Sequence, residues 1–207
     1  MEPGDLKEGE KDKQERDEAA LAGARQQVFD VFDALGIPYE VASHPPINSA
    51  FDRERQGIVV NALICKNLFL RNKDKSRHYL FTLPIDKRAD LLALQKALGE
   101  TRLSFGDAEA LWELLRIRPG SVSLLNIIGA WSVPGGSPGE TSADSVRALK
   151  FLVDAETLRE PRIGVHPNDN AATIMFAPGR LPELFRHYGA DFEFVDLPHC
   201  PSGAIGE

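Results

Sequence analysis

Cysteine is scarce in this chain, because Cys65 and Cys200 are the only two among 207 residues. Two cysteines so far apart give no disulfide framework of the kind that holds small secreted domains together. A protein without such a framework is suited to a reducing compartment. The cysteine content therefore predicts a cytoplasmic protein.

Long apolar runs are also absent. No stretch approaches the roughly 20 apolar residues that a membrane-spanning helix requires. The N-terminal region lacks the apolar core of a signal peptide and is too acidic for a typical transit peptide. We therefore expect no membrane association and no secretion. The length of 207 residues and the hydrophobic content of 43% are sufficient for one domain with a sizeable core.

The chain lacks the excess of basic residues that is typical of a dedicated nucleic-acid-binding protein, because its formal net charge is −7. Residues 1–18 contribute −4 of this charge, from eight acidic and four basic residues. Residues 71–77, in contrast, contain four basic residues and one acidic residue. This short basic segment can either meet an RNA or be the solvated tip of a hairpin, and the sequence leaves both interpretations open.

Familiar catalytic motifs are missing as well. The sequence has no Gly-x-Ser-x-Gly, no His-Glu-x-x-His, no P-loop and no dinucleotide-binding fingerprint. His199 and Cys200 look like a fragment of a metal site, but they have no partners at zinc-binding spacing. The sequence therefore predicts no metal and no cofactor.

Helical and strand patterns alternate along the chain, which predicts one α+β domain at residues 19–198. Residues 1–18 are expected to be disordered, 131–145 to form an inserted loop, and 199–207 to form a tail. The predicted elements are a helix from Lys13 that ends at Gly36, a strand at 39–42, a short helix capped by Ser49 that runs to Gln56, helices capped by Asp86 and Asp107, strands at 103–105, 148–153 and 171–176, a helix at 180–188 and a strand at 192–195. Trp112, in the helix after Asp107, is expected in the core.

Residues 64–70 and 78–83 are apolar segments separated by the polar residues 72–76, a pattern that predicts a β-hairpin. Lys66 lies in the first segment, where a half-buried strand normally carries neutral side chains. An ordinary strand lysine packs its stem and extends its ammonium to water. An ammonium beside Cys65 would favour a thiolate, but adjacent strand residues point to opposite faces. If Lys66 faces a site, Cys65 therefore faces the core.

Two further stretches are loops of small and polar residues. Residues 118–123, Arg-Pro-Gly-Ser-Val-Ser, combine a Pro-Gly turn signal with small residues that let the backbone approach a ligand. Residues 166–170, His-Pro-Asn-Asp-Asn, form a tight polar loop between two predicted strands. Such loops place side chains at the mouth of a pocket, although Asn and Asp also simply favour turns.

The run Lys66-Asn67-Leu68-Phe69-Leu70-Arg71, with Arg77-His78-Tyr79-Leu80 and Gly164-Val165-His166-Pro167-Asn168, resembles the signature of the YbaK/ProRS-associated editing domain family. Members of this family hydrolyse wrongly charged aminoacyl-tRNA. The resemblance covers about residues 35–195 and is strongest to the PrdX-like branch, which deacylates alanyl-tRNA(Pro). It implies a mixed, curved, barrel-like β-sheet with peripheral helices. It also implies aminoacyl-tRNA(Pro) as the substrate and prolyl-tRNA synthetase as a partner.

The resemblance assigns roles to residues at matching positions. Lys66 corresponds to the central catalytic residue, which would anchor the ester carbonyl and stabilise the developing oxyanion while water attacks, assisted by backbone N–H groups near residues 120–123 and by a neighbouring ribose hydroxyl. The residues implied in substrate binding are Gly120, Ser121, Ser123, His166 and Asn168. Those implied in tRNA contacts are Arg53, Arg55, Arg71 and Lys73. His44 either faces the site or is an ordinary loop histidine.

A pocket that admits alanine and excludes proline would need apolar walls, for which Ile47, Leu68 and Val165 are candidates. The chain departs from the family pattern at three places: Leu124 replaces a proline, Gly129-Ala130 replaces an Asn-Asp pair, and the segment after His44-Pro45 lacks the family's threonine and paired acids. Two alternatives therefore stay open. One is a deacylase of the same fold for tRNA charged with cysteine, serine or threonine, and the other is a non-catalytic module that binds tRNA or an aminoacyl group.

Overall fold

The first helix, α1, follows the predicted pattern of apolar residues at three- and four-residue steps. The structure is a computed structural model that describes residues 23–47, 50–117, 122–130, 148–198 and 200–201, and the described part of α1 covers residues 23–34. Val28 and Phe32 are fully buried. The helix ends at Gly36, whose φ of 59° is the left-handed conformation that glycine adopts without strain. The predicted disordered segment at 1–18 and inserted loop at 131–145 lie outside the described residues, as does Ser49.

Ten strands within the described ranges build the sheets. They are β1 Tyr39–Ser43, β2 Leu63–Asn72, β3 His78–Pro84, β4 Lys87–Arg88, β5 Leu103–Phe105, β6 Leu149–Asp154, β7 Ile163–Val165, β8 Ala172–Phe176, β9 Asp191–Val195 and β10 Cys200–Pro201. The main sheet has the order β1-β8-β7-β2-β3-β6-β9, with β5 also paired to β2, while β4 and β10 form a separate two-stranded sheet. Part of the predicted tail is therefore paired.

The main sheet is mixed, which confirms the predicted fold class. The pairs β2–β7, β3–β6 and β6–β9 are parallel, and the pairs β1–β8, β7–β8, β2–β3 and β2–β5 are antiparallel. Among the described strands, β1 and β9 are the two ends of the order. The sheet is therefore open rather than a closed barrel.

Short helices surround the sheet. They are α2 Ala50–Arg55, α3 Leu91–Ala97, α4 Ala108–Leu115, α5 Ile127–Ala130 and α6 Leu181–His187, with 3-10 turns at Leu124–Asn126, Ala155–Arg159 and Pro178–Arg180. Within the part of the chain that the structure describes, no helix is long and apolar enough to span a membrane.

The two faces of the sheet are covered by separate apolar clusters, which we call core A and core B. Core A contains Phe32, Cys65, Leu80 and Phe185, among others. Core B contains Leu70, Tyr79, Phe81 and Leu83, among others. Alternate residues of β3 enter the two cores, so every residue of this central strand is buried.

Two local predictions are wrong. The cap of α3 is Asp90, whose carboxylate accepts hydrogen bonds from the N–H groups of Leu92 and Ala93 at 3.0 and 2.9 Å. Asp86 cannot take this role because Lys87–Arg88 forms strand β4 and keeps the chain extended. Trp112 is 48% exposed, because α4 directs Leu111 and Leu115 into core A. The predicted cap of that helix, Asp107, is confirmed.

Candidate active site

The predicted hairpin around Lys66 is confirmed, and its register defines which way each side chain points. Strands β2 and β3 pair with Lys66 opposite Leu83. Directly opposed residues share a face of the sheet, and Leu83 belongs to core B. Cys65 belongs to core A. Lys66 therefore lies on the core B face, and Cys65 points to the opposite face, as the alternation of strand residues predicts.

The main sheet opens next to Lys66. Strand β2 pairs with β7 only through Leu63 and Ile64, and its pairing with β5 begins at Leu70. Between these points β3 is the one ladder partner of β2 among the described strands. The resulting gap between β2 and β7 lies at the residues of the predicted catalytic segment, and we call it the sheet split.

Gly164 allows β7 and its neighbours to come close together at the base of the split. A Cβ atom at this position would lie 2.8 Å from Ile64 Cδ1 and 3.1 Å from Thr173 Cγ2. Ile64 and Thr173 therefore meet over the glycine, on the same face of the sheet. Because Ile64 and Lys66 are two residues apart on one strand, Thr173 and Lys66 share that face.

The Lys66 ammonium is half-buried at the split. Its Nζ atom donates a hydrogen bond to the carbonyl oxygen of Ile85 at 2.9 Å. Burial lowers the pKa of Lys66, and the negative charge of Asp86 opposes this effect. An ammonium has three N–H donors, so this side chain has the capacity to hold a carbonyl or an oxyanion as well as Ile85.

His166 is held as a neutral hydrogen-bond acceptor. Its Nδ1 lies 3.0 Å from the carbonyl oxygen of Ala172, so Nδ1 carries the proton and Nε2 presents a lone pair. Burial lowers the pKa of His166, and the hydrogen bond to Ala172 opposes this effect. Because the ordinary value is near 6.5, the imidazole is uncharged at pH 7. Nε2 can therefore accept a hydrogen bond from water or from a ribose hydroxyl.

The loop before α5 supports His166 from the core A side. The Ser123 hydroxyl donates to the His166 carbonyl oxygen at 2.7 Å, and the Ser123 N–H donates to Asn126 Oδ1 at 2.6 Å. Asn67, the next residue after Lys66, donates from Nδ2 to the Val122 carbonyl oxygen at 3.0 Å. This loop therefore connects β2 to the His166 loop behind the split. The Ser123 N–H already has a partner, so the predicted backbone donors to an oxyanion do not include it.

Asn168 completes this support. Its Oδ1 accepts from Asn126 Nδ2 at 2.9 Å, and its own Nδ2 donates to the Ile128 carbonyl oxygen at 2.9 Å. Its φ of 59° lies in the left-handed region, which asparagine tolerates better than most residues. Ser123, Asn126 and Asn168 are all buried. In this arrangement they position the two loops, and sequence reasoning missed Asn126 and Asn67 because their partners are distant in sequence.

The predicted tRNA-contacting residues are not in one place. Arg53 donates to the Thr173 hydroxyl at 3.0 Å and so lies on the same face of the sheet as Lys66. Arg55 pairs with Asp52 and Arg71 pairs with Asp107, at 3.7 and 3.2 Å. Lys73 is exposed at the hairpin tip. Gly120 and Ser121, predicted to bind substrate, lie outside the described residues.

The predicted pocket walls are also separated. Val165 lies within core A, whereas Leu68 packs against core B and borders a surface cavity of about 190 Å³ that Asn67 and Val122 also line. Ile47 is buried near the His166 loop, where its N–H donates to the Asn170 carbonyl oxygen at 3.0 Å. Leu124, at the family's proline position, is a fully buried residue of core A.

The side chains at the split suit hydrolysis of an activated ester. Lys66 provides a positive charge for a carbonyl oxygen, and His166 provides an acceptor for a hydroxyl. Within the described ranges, no group of three or more His, Cys, Asp and Glu side chains could hold a metal ion. A half-buried ammonium and an imidazole acceptor beside an open split are compatible with a hydrolase that acts on an activated ester.

Comparison with known proteins agrees with this class. A model of the aminoacyl-tRNA editing domain matches residues 44–184. The match covers more than half of the chain, so the chain belongs to the aminoacyl-tRNA editing domain family. Its activity is accordingly that of an aminoacyl-tRNA deacylase, with a charged tRNA as the substrate.

Two relatives extend the comparison over most of the chain. Prolyl-tRNA editing protein ProX of Acetoanaerobium sticklandii is 29% identical over 174 residues, which is 84% of this chain and 98% of ProX. Prolyl-tRNA synthetase associated domain-containing protein 1 of Bos taurus is 27% identical over 162 residues, which is 76% of this chain and 86% of the relative.

Solved structures confirm the fold. Hypothetical protein APE2540 matches with a TM-score of 0.57 and 19% identity, over 82% of this chain and 98% of its own. A candidate trans-editing enzyme for prolyl tRNA synthetase matches with a TM-score of 0.55 and 18% identity, over 84% of this chain and 98% of its own. The predicted single α+β editing fold is therefore confirmed.

Proposed function

We propose that the chain is a trans-editing hydrolase that removes alanine from alanyl-tRNA(Pro). The observation that carries the proposal is the placement of Lys66 on the same face of the sheet split as Thr173 and Arg53, with the His166 loop at its edge. The names of the relatives, which refer to prolyl-tRNA editing and to prolyl-tRNA synthetase, support tRNA(Pro) as the carrier. We further propose that the protein acts in the cytoplasm with prolyl-tRNA synthetase as a partner.

The reaction is hydrolysis of the ester between the amino acid and the terminal ribose. Water attacks the carbonyl carbon, and the carbonyl oxygen becomes an oxyanion that the Lys66 ammonium stabilises. The bond to the ribose oxygen then breaks, and the ribose oxygen takes up a proton. The products are free alanine and uncharged tRNA. His166 Nε2 would accept a hydrogen bond from the neighbouring ribose hydroxyl or from the water and so orient it.

Selectivity for alanine follows from size. A synthetase pocket that fits proline cannot strongly reject the smaller alanine, because small apolar differences are worth only about 1–3 kcal/mol. A second site that is too small for proline can remove the error without cleaving the correct product. Ile47 and Leu68 stay candidates for the walls of such a site.

A panel of charged tRNAs tests this proposal. tRNA(Pro) carrying alanine, cysteine or serine, and tRNA(Ala) carrying alanine, are incubated with the wild-type protein, and the loss of label is followed. We expect rapid release of alanine from tRNA(Pro) and slower release from the other three. Faster cleavage of cysteinyl- or seryl-tRNA(Pro) than of alanyl-tRNA(Pro) would show that the site prefers that amino acid instead of alanine. Tight binding of all four without cleavage would contradict catalysis and favour a binding module.

Cys65 should have no role in this reaction. Burial, with the charge of Asp154, raises the pKa of its thiol to about 12, so no thiolate forms at neutral pH. We expect Cys65→Ala to keep its deacylation rate within about threefold of the wild type, because the side chain lies in core A and not at the split. The rate is measured at equal concentrations of folded protein. A loss of activity far beyond this range, with unchanged thermal unfolding, would make the thiol part of the site.

A further inference from the structure

Arg53 has no carboxylate partner among the described residues. Its Nη2 donates to the Thr173 hydroxyl at 3.0 Å, and its Nη1 is buried without a hydrogen-bond partner. The nearby acids are engaged elsewhere, since Asp52 lies 3.7 Å from Arg55 and Asp169 lies 3.4 Å from Arg25. A half-buried guanidinium without a counter-charge is costly. A ligand that supplies a negative charge would therefore explain why the Arg53 guanidinium lies in this half-buried position.

Thr173 connects Arg53 to a histidine. Nδ1 of His44 lies 2.9 Å from the Pro45 carbonyl oxygen and donates to it, and in the tautomer with this proton on Nδ1 the other nitrogen, Nε2, is an acceptor. Nε2 lies 2.9 Å from the Thr173 hydroxyl. The hydroxyl thus donates to His44 and accepts from Arg53, which defines the orientation of the guanidinium. Thr173 is fully buried, so this orientation does not depend on an exposed contact.

Arg53, Thr173 and His44 form a cluster that lies beside the proposed catalytic groups, Lys66 and His166. The ring centroids of His44 and His166 are 6.2 Å apart, and Thr173 shares the sheet face of Lys66 through its contact over Gly164. Arg53, Thr173 and His44 therefore lie together at the edge of the split.

We propose that Arg53, held by Thr173 and His44, binds the 5′-phosphate of the terminal nucleotide of the substrate RNA. This inference rests on the proposed function, because it places the aminoacyl ester at Lys66. The phosphate nearest to an ester on the terminal ribose is the 5′-phosphate of that same nucleotide. A guanidinium matches phosphate geometry through paired N–H donors. Arg53 would thus fix the position of the ribose relative to Lys66.

Two small substrates test which group Arg53 contacts. One is 3′-O-alanyl adenosine, and the other is the same compound with a 5′-phosphate. We expect Arg53→Gln to lower kcat/KM at least about tenfold for the phosphorylated compound and to leave the other unchanged, because a hydrogen bond to a charged group is lost only where the phosphate is present. Arg53→Lys, which keeps the charge, should recover part of the loss. An equal loss on both compounds, or no loss on either, would overturn the assignment.

A binding measurement makes the test independent of catalysis. The affinity of uncharged tRNA is measured as a function of salt for the wild type, Arg53→Gln and Arg159→Gln. Arg159 is the matched control, because its side chain is 69% exposed and it is not among the predicted tRNA contacts. Loss of one phosphate contact should reduce the salt slope by about 0.7 for Arg53→Gln and leave it unchanged for Arg159→Gln. Identical slopes for Arg53→Gln and the wild type would overturn the phosphate site. If the variants show the expected salt slopes but the wild type cleaves neither alanyl compound, the proposed function would be overturned instead.

Discussion

Replacement of Lys66 by methionine is expected to lower the rate constant of ester cleavage by about 100- to 1,000-fold, the range seen when a donor to an oxyanion is removed. Methionine keeps most of the aliphatic stem of lysine but has no positive charge. The strand itself should persist, because the backbone of Lys66 pairs with Leu83 whichever side chain is present. The loss should therefore appear in catalysis and not in folding.

The measurement is single-turnover release of alanine from alanyl-tRNA(Pro), with thermal unfolding followed on the same samples. Lys96→Met on α3 is the matched control, since Lys96 is an exposed lysine of the same charge. Because burial lowers the pKa of Lys66, the advantage of the wild type over Lys66→Met should decline as pH rises through that lowered value. Nearly equal rates for Lys66→Met and Lys96→Met would remove Lys66 from the mechanism.

Lys87 is the centre of a second cluster of charges, in which its ammonium faces two acidic side chains. Its ammonium is almost fully buried and lies 2.8 Å from Asp154 Oδ2 and 3.1 Å from Glu156 Oε2. It also donates to the Leu197 carbonyl oxygen at 2.8 Å. Burial acts to lower the pKa of Lys87, but the hydrogen bonds and charges of the two acids outweigh it and raise the pKa. Lys87 thus joins β4 to the end of β6 and to the C-terminal segment.

Lys87→Met is expected to lower the free energy of unfolding by about 3–5 kcal/mol, because the fully buried carboxylate of Asp154 loses its counter-ion. For a domain of this size that corresponds to a decrease in Tm of roughly 6–20 °C. The matched control is Lys150→Met, whose ion pair with Glu193 at 2.7 Å is partly exposed and should contribute less than about 1 kcal/mol.

Chemical denaturation of the single variants and of Lys87→Met combined with Asp154→Asn measures this coupling. The double variant should lose less stability than the sum of its two single variants, since the asparagine removes the uncompensated charge. The cap on the following 3-10 turn, an Asp154 Oδ1 contact to the Glu156 N–H at 3.0 Å, can be kept by asparagine. A change for Lys87→Met as small as that for Lys150→Met would contradict the importance of the buried cluster.

Elements specified by neighbouring residues could be predicted from the sequence. The β2–β3 hairpin, the Asp107 cap and the polar loop at 166–170 each depend on a few consecutive residues, and all three are present in the structure. The α3 cap was assigned to the wrong aspartate because the pairing of β4 with β10 is a contact over more than a hundred residues. Trp112 was misplaced because a wide apolar stripe does not show how much of a helix surface the core covers.

The site was predictable to a similar extent. Lys66 and His166 were proposed as site residues through motif resemblance and stay a proposal, whereas alternation along β2 was sufficient to place Cys65 on the other face. The hydrogen bonds of Asn126 to Asn168 and of Arg53 to Thr173 join residues 42 and 120 positions apart. No local pattern specifies such partners, because they depend on the order of the strands. That order was not derivable from periodicity alone.

The most direct test of the central claim compares the release of alanine and of proline from the same tRNA. Alanyl-tRNA(Pro) and prolyl-tRNA(Pro) are supplied to excess wild-type protein, and each first-order rate constant is corrected for spontaneous hydrolysis. We predict that alanine is released at least about 100-fold faster, because the proposed editing site would be too small for the proline ring. Equal rates, or faster release of proline, would contradict the claim that this chain edits errors made in charging tRNA(Pro).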